Sequence, residues 1–279
     1  MALEKEQKRI KPANRGFVDS TSSNILVHYN GITGRENPSP RIITLSGISG
    51  GERVHSVEEK FECLEMVLKE CDGQYIYNSE EGGKVFVNDF NDDRRVREIL
   101  GHELVHHVRK MTGASTESGN LSSATDTGSK VIWSLEEGCA MFIQGALAAE
   151  RDSSPKSIIK SVFGFIEPYE TFMLPITFTI IGKHAESSPC EKEINDGKLS
   201  TIIDVFKDSS IERKHALRKS IYSAGINFAT VIFTANDFDL ERTERKLLTY
   251  TYRELKEELM SAARKPELAK TIDKVLRRP

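Results

Sequence analysis

Cysteine, tryptophan and long apolar runs are scarce in this chain, which has 4 Cys and 1 Trp among 279 residues. Cys63, Cys71, Cys139 and Cys190 are scattered and form no CxxC pair. That excludes a disulfide framework and argues against a zinc site built on thiolates. The longest apolar run, FMLPITFTIIG from Phe172, is too short to span a bilayer and contains Pro175. The first residues, MALEKEQKRIKPANRG, are charged and lack the apolar core of a secretory signal. Neither charge sign dominates, since 39 Lys and Arg stand against 42 Asp and Glu for a net charge of -3. Nothing here draws the chain to nucleic acid or to an anionic membrane surface. These absences predict a soluble, cytoplasmic protein with reduced thiols and neither a nucleic-acid nor a membrane partner.

What is present suffices for one sizeable core, with 38% hydrophobic residues. Residues 1–20 read as a polar arm. Three short runs rich in β-branched and aromatic residues follow, at 24–29 (NILVHY), 41–48 (RIITLSGI) and 84–90 (KVFVNDF), and each predicts a strand. Between the last two, Phe61, Leu64, Met66, Val67 and Cys71 recur at helical spacing, with Asp72-Gly73 as the stop. A second helix starts near Asn91 and Asp92, both good caps, and carries Val96, Leu100, Leu104, Val108 and Met111 as an apolar stripe. Residues 112–130 are almost wholly small and polar, which predicts a mobile loop or a lid. A further helix is expected at 134–150, and from about 153 onward the pattern is mostly helical. The expected fold is α+β: a polar arm (1–20), an α+β subdomain (21–150) and a helical C-terminal subdomain (151–279).

The chemistry concentrates in GHELVHHV, residues 101–108. His102 and His106 are one helical turn apart and leave the same face, so both imidazoles can reach one ion at about 2.0–2.1 Å. Glu103 sits beside them, able to reach a water on that ion without being a ligand. The string His102-Glu103-Leu104-Val105-His106 is HExxH. A catalytic zinc needs a third protein ligand, and Glu137 in WSLEEGCAMF is the best candidate. Two other readings stay open. Ser134 and Glu137 also fit a capping box, and Glu136 competes for either role. His107 fits a supporting donor, a substrate contact or a polar residue at the helix edge; five-residue spacing turns it away from His102. His28, His55, His184 and His215 read as structural. Imidazole plus carboxylate favours Zn2+ among divalent ions.

HExxH followed by Glu137-Gly138-Cys139-Ala140, with Trp133 shortly before, resembles the gluzincins, zinc metallopeptidases that include the thermolysin-like and aminopeptidase-like families. The resemblance implies a zincin-like fold with a mixed N-terminal sheet. It implies His102, His106 and Glu137 as zinc ligands and Glu103 as general base. It also implies hydrolysis of a peptide or protein substrate by a metal-activated water. Tyr222, Gly225 and Phe228 in IYSAGINFATVIF resemble the Y-x-x-G-x-x-F of that group, where the tyrosine donates to the oxyanion. Two features depart from it. Thirty residues separate His106 from Glu137, and no G-A-M-E-N-like segment precedes the motif. A repressor-cleaving type of metallopeptidase and a non-catalytic zincin-fold scaffold are the competing expectations. The segment 84–90 is considered as a substrate-pairing edge strand, against a plain strand of the sheet.

Overall fold

The structure, a computed structural model, describes residues 12–49, 72–115, 127–149, 154–163, 222 and 225–263. The predicted helix ending at Asp72-Gly73, the run from Phe172 and much of the stretch after 153 that is expected to be helical lie outside these residues.

Helix α1 (Arg15–Thr33) opens the described chain. Asn14 caps it by accepting from the Gly16 N–H at 2.8 Å, and Gly34 ends it in the left-handed region at φ 65°. The expected strand at 24–29 is therefore helical, and so are the last residues of the expected arm. Val18, Ser22, Ile25, Leu26, Tyr29 and Ile32 are buried at helical intervals. NILVHY read alone hides that period because a short apolar run fits either element.

β1 (Arg41–Thr44) is followed directly by the short α2 (Leu45–Ser49), so the predicted strand 41–48 ends early. β2 (Gly73–Asn78) and β3 (Gly82–Val87) form an antiparallel hairpin, and β1 joins β3 in parallel. The order β1-β3-β2 makes β3 the central strand. KVFVNDF thus supplies an inner strand, flanked on both sides, and not an edge. The outer positions among the described strands belong to β1 and β2, and β2 is a strand that the sequence pattern does not predict.

α3 (Asp93–Thr112) carries HExxH. Asp92 caps it through the Arg95 N–H at 2.8 Å, Asp93 lies in the first turn, and Arg109 and Lys110 complement the carbonyl end of the helix. Val96, Leu100, Leu104 and Val108 are wholly buried, and the Tyr29 hydroxyl donates to the Gly101 carbonyl at 3.0 Å. α4 (Thr127–Ala148) packs along α3 and begins seven residues before the expected start at 134. The segment 127–130, expected in a loop, is its first turn; 116–126 lie outside the described residues.

α5 (Pro155–Phe163), helix α6 (residues 225–235), α7 (Leu240–Thr249) and α8 (Tyr252–Ala263) complete the described elements. One contiguous apolar cluster runs from Val18 of α1 through Val85, Leu104 and Phe142 to Phe233, Leu247 and Leu259. No described helix is long and apolar enough to cross a membrane.

α4 and α6 cross with their backbones in contact. A methyl group at Gly138 would fall on the backbone of Gly225, and one at Gly225 on the Ser134 carbonyl. Backbone cannot yield as a flexible side chain does. Gly138→Ala is therefore expected to lower stability by about 2–3 kcal/mol or more, read as a reduced urea midpoint at unchanged slope.

Glu244 on α7 is buried, 3.9 Å from the half-exposed imidazole of His28. Burial first, and then Glu241, push its carboxyl from the ordinary 4.5 up to about 7. Between these values the folded chain holds a proton that the unfolded chain has released, so stability falls as pH rises. Glu244→Gln is expected to flatten this slope between pH 4.5 and 7. It should also raise stability at pH 8 by up to about 3 kcal/mol, followed by thermal melts across pH.

Candidate metal centre

α3 and α4 place the expected ligands together. His102 Nε2 and His106 Nε2 stand 3.3 Å apart, as one turn of helix dictates. Glu137 Oε2 comes across from α4 to 3.2 Å from His102 Nε2 and 3.8 Å from His106 Nε2. A tetrahedral ion with bonds of about 2.0–2.1 Å separates its ligand atoms by about 3.3 Å. The three side chains thus have the spacing of three corners of such a site. Among the described residues they are the His/Cys/Asp/Glu group that can hold a metal ion.

The tautomer supports the same use. His102 Nδ1 lies 3.2 Å from Gln144 Oε1, a carbonyl-type oxygen that only accepts. Nδ1–H therefore donates to Gln144, and Nε2 turns its lone pair toward His106 and Glu137. Two imidazole nitrogens and a carboxylate oxygen at this range require a shared proton or a cation among them. Gln144 is buried and lies seven residues after Glu137, two turns along the same face of α4. That spacing was the available sequence signal for it, and it went unread.

Electrostatics divide the histidines. Burial acts against the charged form of His102, but the hydrogen bond to Glu137 and the charges of Glu103 and Glu137 outweigh it, so its pKa is raised. For His106 burial prevails over the attraction of Glu137, and its pKa is lowered. Glu103 is buried against β2, where a Cβ on Gly73 would come within 2.9 Å of its Oε1. Burial raises its carboxyl to about 7, with His102 and the Tyr75 backbone N–H pulling the other way.

Glu136 and Glu137 separate cleanly. The Glu136 carboxylate is engaged by Arg109 of α3, which donates from Nε at 2.8 Å and from a terminal nitrogen at 2.7 Å. The other terminal nitrogen donates to the carbonyls of Leu247 and Tyr250. Glu136 is therefore spoken for, and Glu137 is the one that faces the histidines. The capping-box alternative also falls, because Ser134 lies inside α4 and not at its start. Arg109 was missed in the sequence, where it reads as a last-turn cation.

His107 is buried at 1% exposure and away from the ligand set, between Pro38, Tyr75 and Gly83. Tyr222 is half-buried, three residues before Gly225, the residue of α6 that touches the backbone of Ser134 and Gly138. Helix α6 thus crosses α4 beside Glu137. His28 is half-exposed near Glu244, while His55, His184 and His215 lie outside the described residues.

Comparison with protein-family models, with curated proteins and with solved structures finds no match to this chain.

The two glutamates give a direct test by zinc titration and denaturation. Glu137→Gln is expected to weaken zinc binding by more than the ~10–100-fold that an outer-sphere partner is worth, with the fold intact. Glu136→Gln should instead cost about 3–5 kcal/mol of stability, because it leaves Arg109 buried without its anion.

Proposed function

We propose that the chain is a zinc-dependent metallopeptidase of zincin-like fold, acting on a peptide or protein substrate in the cytoplasm. The observation that carries this reading is the convergence of His102, His106 and Glu137 at 3.2–3.8 Å, with the Glu103 carboxylate buried on the next position of the same helix. His102, His106 and Glu137 would hold the ion, and Gln144 would fix the first imidazole. When bound there, such an ion would supply Lewis acidity and would lower the pKa of a water toward about 7.

The chain's own groups do the rest. Glu103 lies one residue from His102, seated against β2 and within electrostatic reach of His102 and Glu137, but outside the ligand set. With its carboxyl near 7 it can accept a proton from water and return it to the leaving amine. Tyr222 is assigned the donor to the developing oxyanion, since it stands three residues before Gly225, which touches α4 at the residue after Glu137. β2 is one of the two outer strands among the three described, and it is the one beside Glu103, so an extended substrate would lie along it and not along β3. The buried free thiol of Cys139 suits a reducing compartment.

The competing reading is a non-catalytic scaffold in which the three side chains form a metal-free hydrogen-bonded cluster. The 3.2 Å contact of His102 with Glu137 is compatible with it. Metal analysis of untagged protein separates the two, followed by cleavage of unfolded casein with and without chelator. In the metallopeptidase, Glu103→Gln keeps one equivalent of zinc and lowers turnover by at least ~100-fold. His102→Ala loses both. Casein cleavage that survives Glu103→Gln at full rate would remove Glu103 as the base.

A further inference from the structure

The third histidine of GHELVHHV has a function of its own. His107 Nε2 lies 2.6 Å from the Pro38 carbonyl oxygen, which can only accept, so Nε2 carries the proton. Nδ1 is then an acceptor, and the Tyr75 hydroxyl faces it at 3.4 Å. The two rings meet edge to face at 5.6 Å. The imidazole is pressed against β3, where a Cβ on Gly83 would come 2.5 Å from Nδ1. Glycine at that position is what lets the ring in.

Tyr75 is also held at its other end. Its backbone N–H donates to the Glu103 carboxylate. One residue of β2 thus touches α3 twice, by its hydroxyl at His107 and by its amide at Glu103, four residues and one helical turn apart. The bare face of Gly73, two residues earlier, completes the seat for the carboxylate. A displacement of the Tyr75 ring moves the amide that orients Glu103.

We propose that His107 and Tyr75 are positioning residues that clamp β2 onto the HExxH helix and thereby fix the Glu103 carboxylate. Neither touches the ligand atoms of His102, His106 or Glu137. The inference rests on the reading of Glu103 as the general base for its catalytic consequence, but the clamp itself is a structural statement that can be tested alone. The Pro38 carbonyl fixes the proton on Nε2 of His107, which leaves Nδ1 as the acceptor and the Tyr75 hydroxyl as the donor.

The test uses the zinc-loaded full chain with Tyr75→Phe, which removes only the hydroxyl, and with His107→Gln. Amide hydrogen exchange at Tyr75 should quicken by about tenfold in both, the equivalent of one ordinary hydrogen bond. Zinc affinity should stay within about twofold, because the ligand set is untouched. If the chain hydrolyses peptides, kcat should fall by about tenfold with KM nearly unchanged. In a Glu103→Gln background, Tyr75→Phe should then have no further effect on the residual rate. Unchanged exchange at Tyr75, or a kcat loss that tracks loss of zinc, overturns the clamp. A wild-type chain that binds zinc and cleaves nothing removes the peptidase reading, while the exchange result still decides the clamp.

Discussion

Arg109 is a guanidinium with no exposure to solvent, and its desolvation has to be balanced inside the protein. Its partners come from three directions: the Glu136 carboxylate of α4 in a two-pronged contact, and the carbonyls of Leu247 and Tyr250 at the end of α7. The planar fork fits the carboxylate in one orientation only. That constraint sets the rotation of α4 about its own axis relative to α3. Neighbouring residues of a helix point about 100° apart. Once Glu136 is turned to Arg109, Glu137 is turned to His102 and His106. The buried pair is a device of register as much as of stability.

A second consequence is electrostatic. Four ionisable groups, His102, Glu103, His106 and Glu137, share a region from which water is largely excluded, and each alters the others. Arg109 and Glu136 sit one turn beyond His106 and act on it with opposite signs. Their charges oppose each other there, so the pair holds geometry while its two effects on His106 run in opposite directions. The raised carboxyl of Glu103 comes mainly from burial against β2, a different source. The placement of Glu137 beside the histidines and the placement of Glu103 are thus governed by separate contacts.

How much of this could be read in the sequence depends on the range of the interaction. α3 was legible because its stripe, its Asp92 cap and its last-turn cations are all local, and HExxH needs nothing but helical geometry. α1 was misread because NILVHY is too short a window to show a period that Val18 and Ile32 make plain. β2 was missed where GQYIYN follows a turn signal that reads as the end of a helix. The place of β3 inside the sheet is set by pairing across the chain, to which its own residues give no clue. The choice between Glu136 and Glu137 was illegible for the same reason, since it is made by Arg109, 27 positions away.

Glycine marks the places where these supports close on the site. Gly73 admits the Glu103 carboxylate to β2, Gly83 admits the His107 ring to β3, and Gly138 admits the backbone of α6 to α4 beside Glu137. In each case a Cβ would occupy the volume that a functional group or its support requires. The sheet therefore holds one side of α3 through Glu103 and His107, while α4 holds the other through His102, His106 and Arg109. His102 and Glu103 are where the two supports meet, joined by a single peptide bond within a rigid helix. A helix is suited to this because it passes no slack between adjacent residues. Any shift of the sheet against α4 must either bend α3 or break one of the two sets of contacts. The separation of Glu103 from His102 is thereby fixed by backbone geometry, and the surrounding contacts only need to choose their orientation.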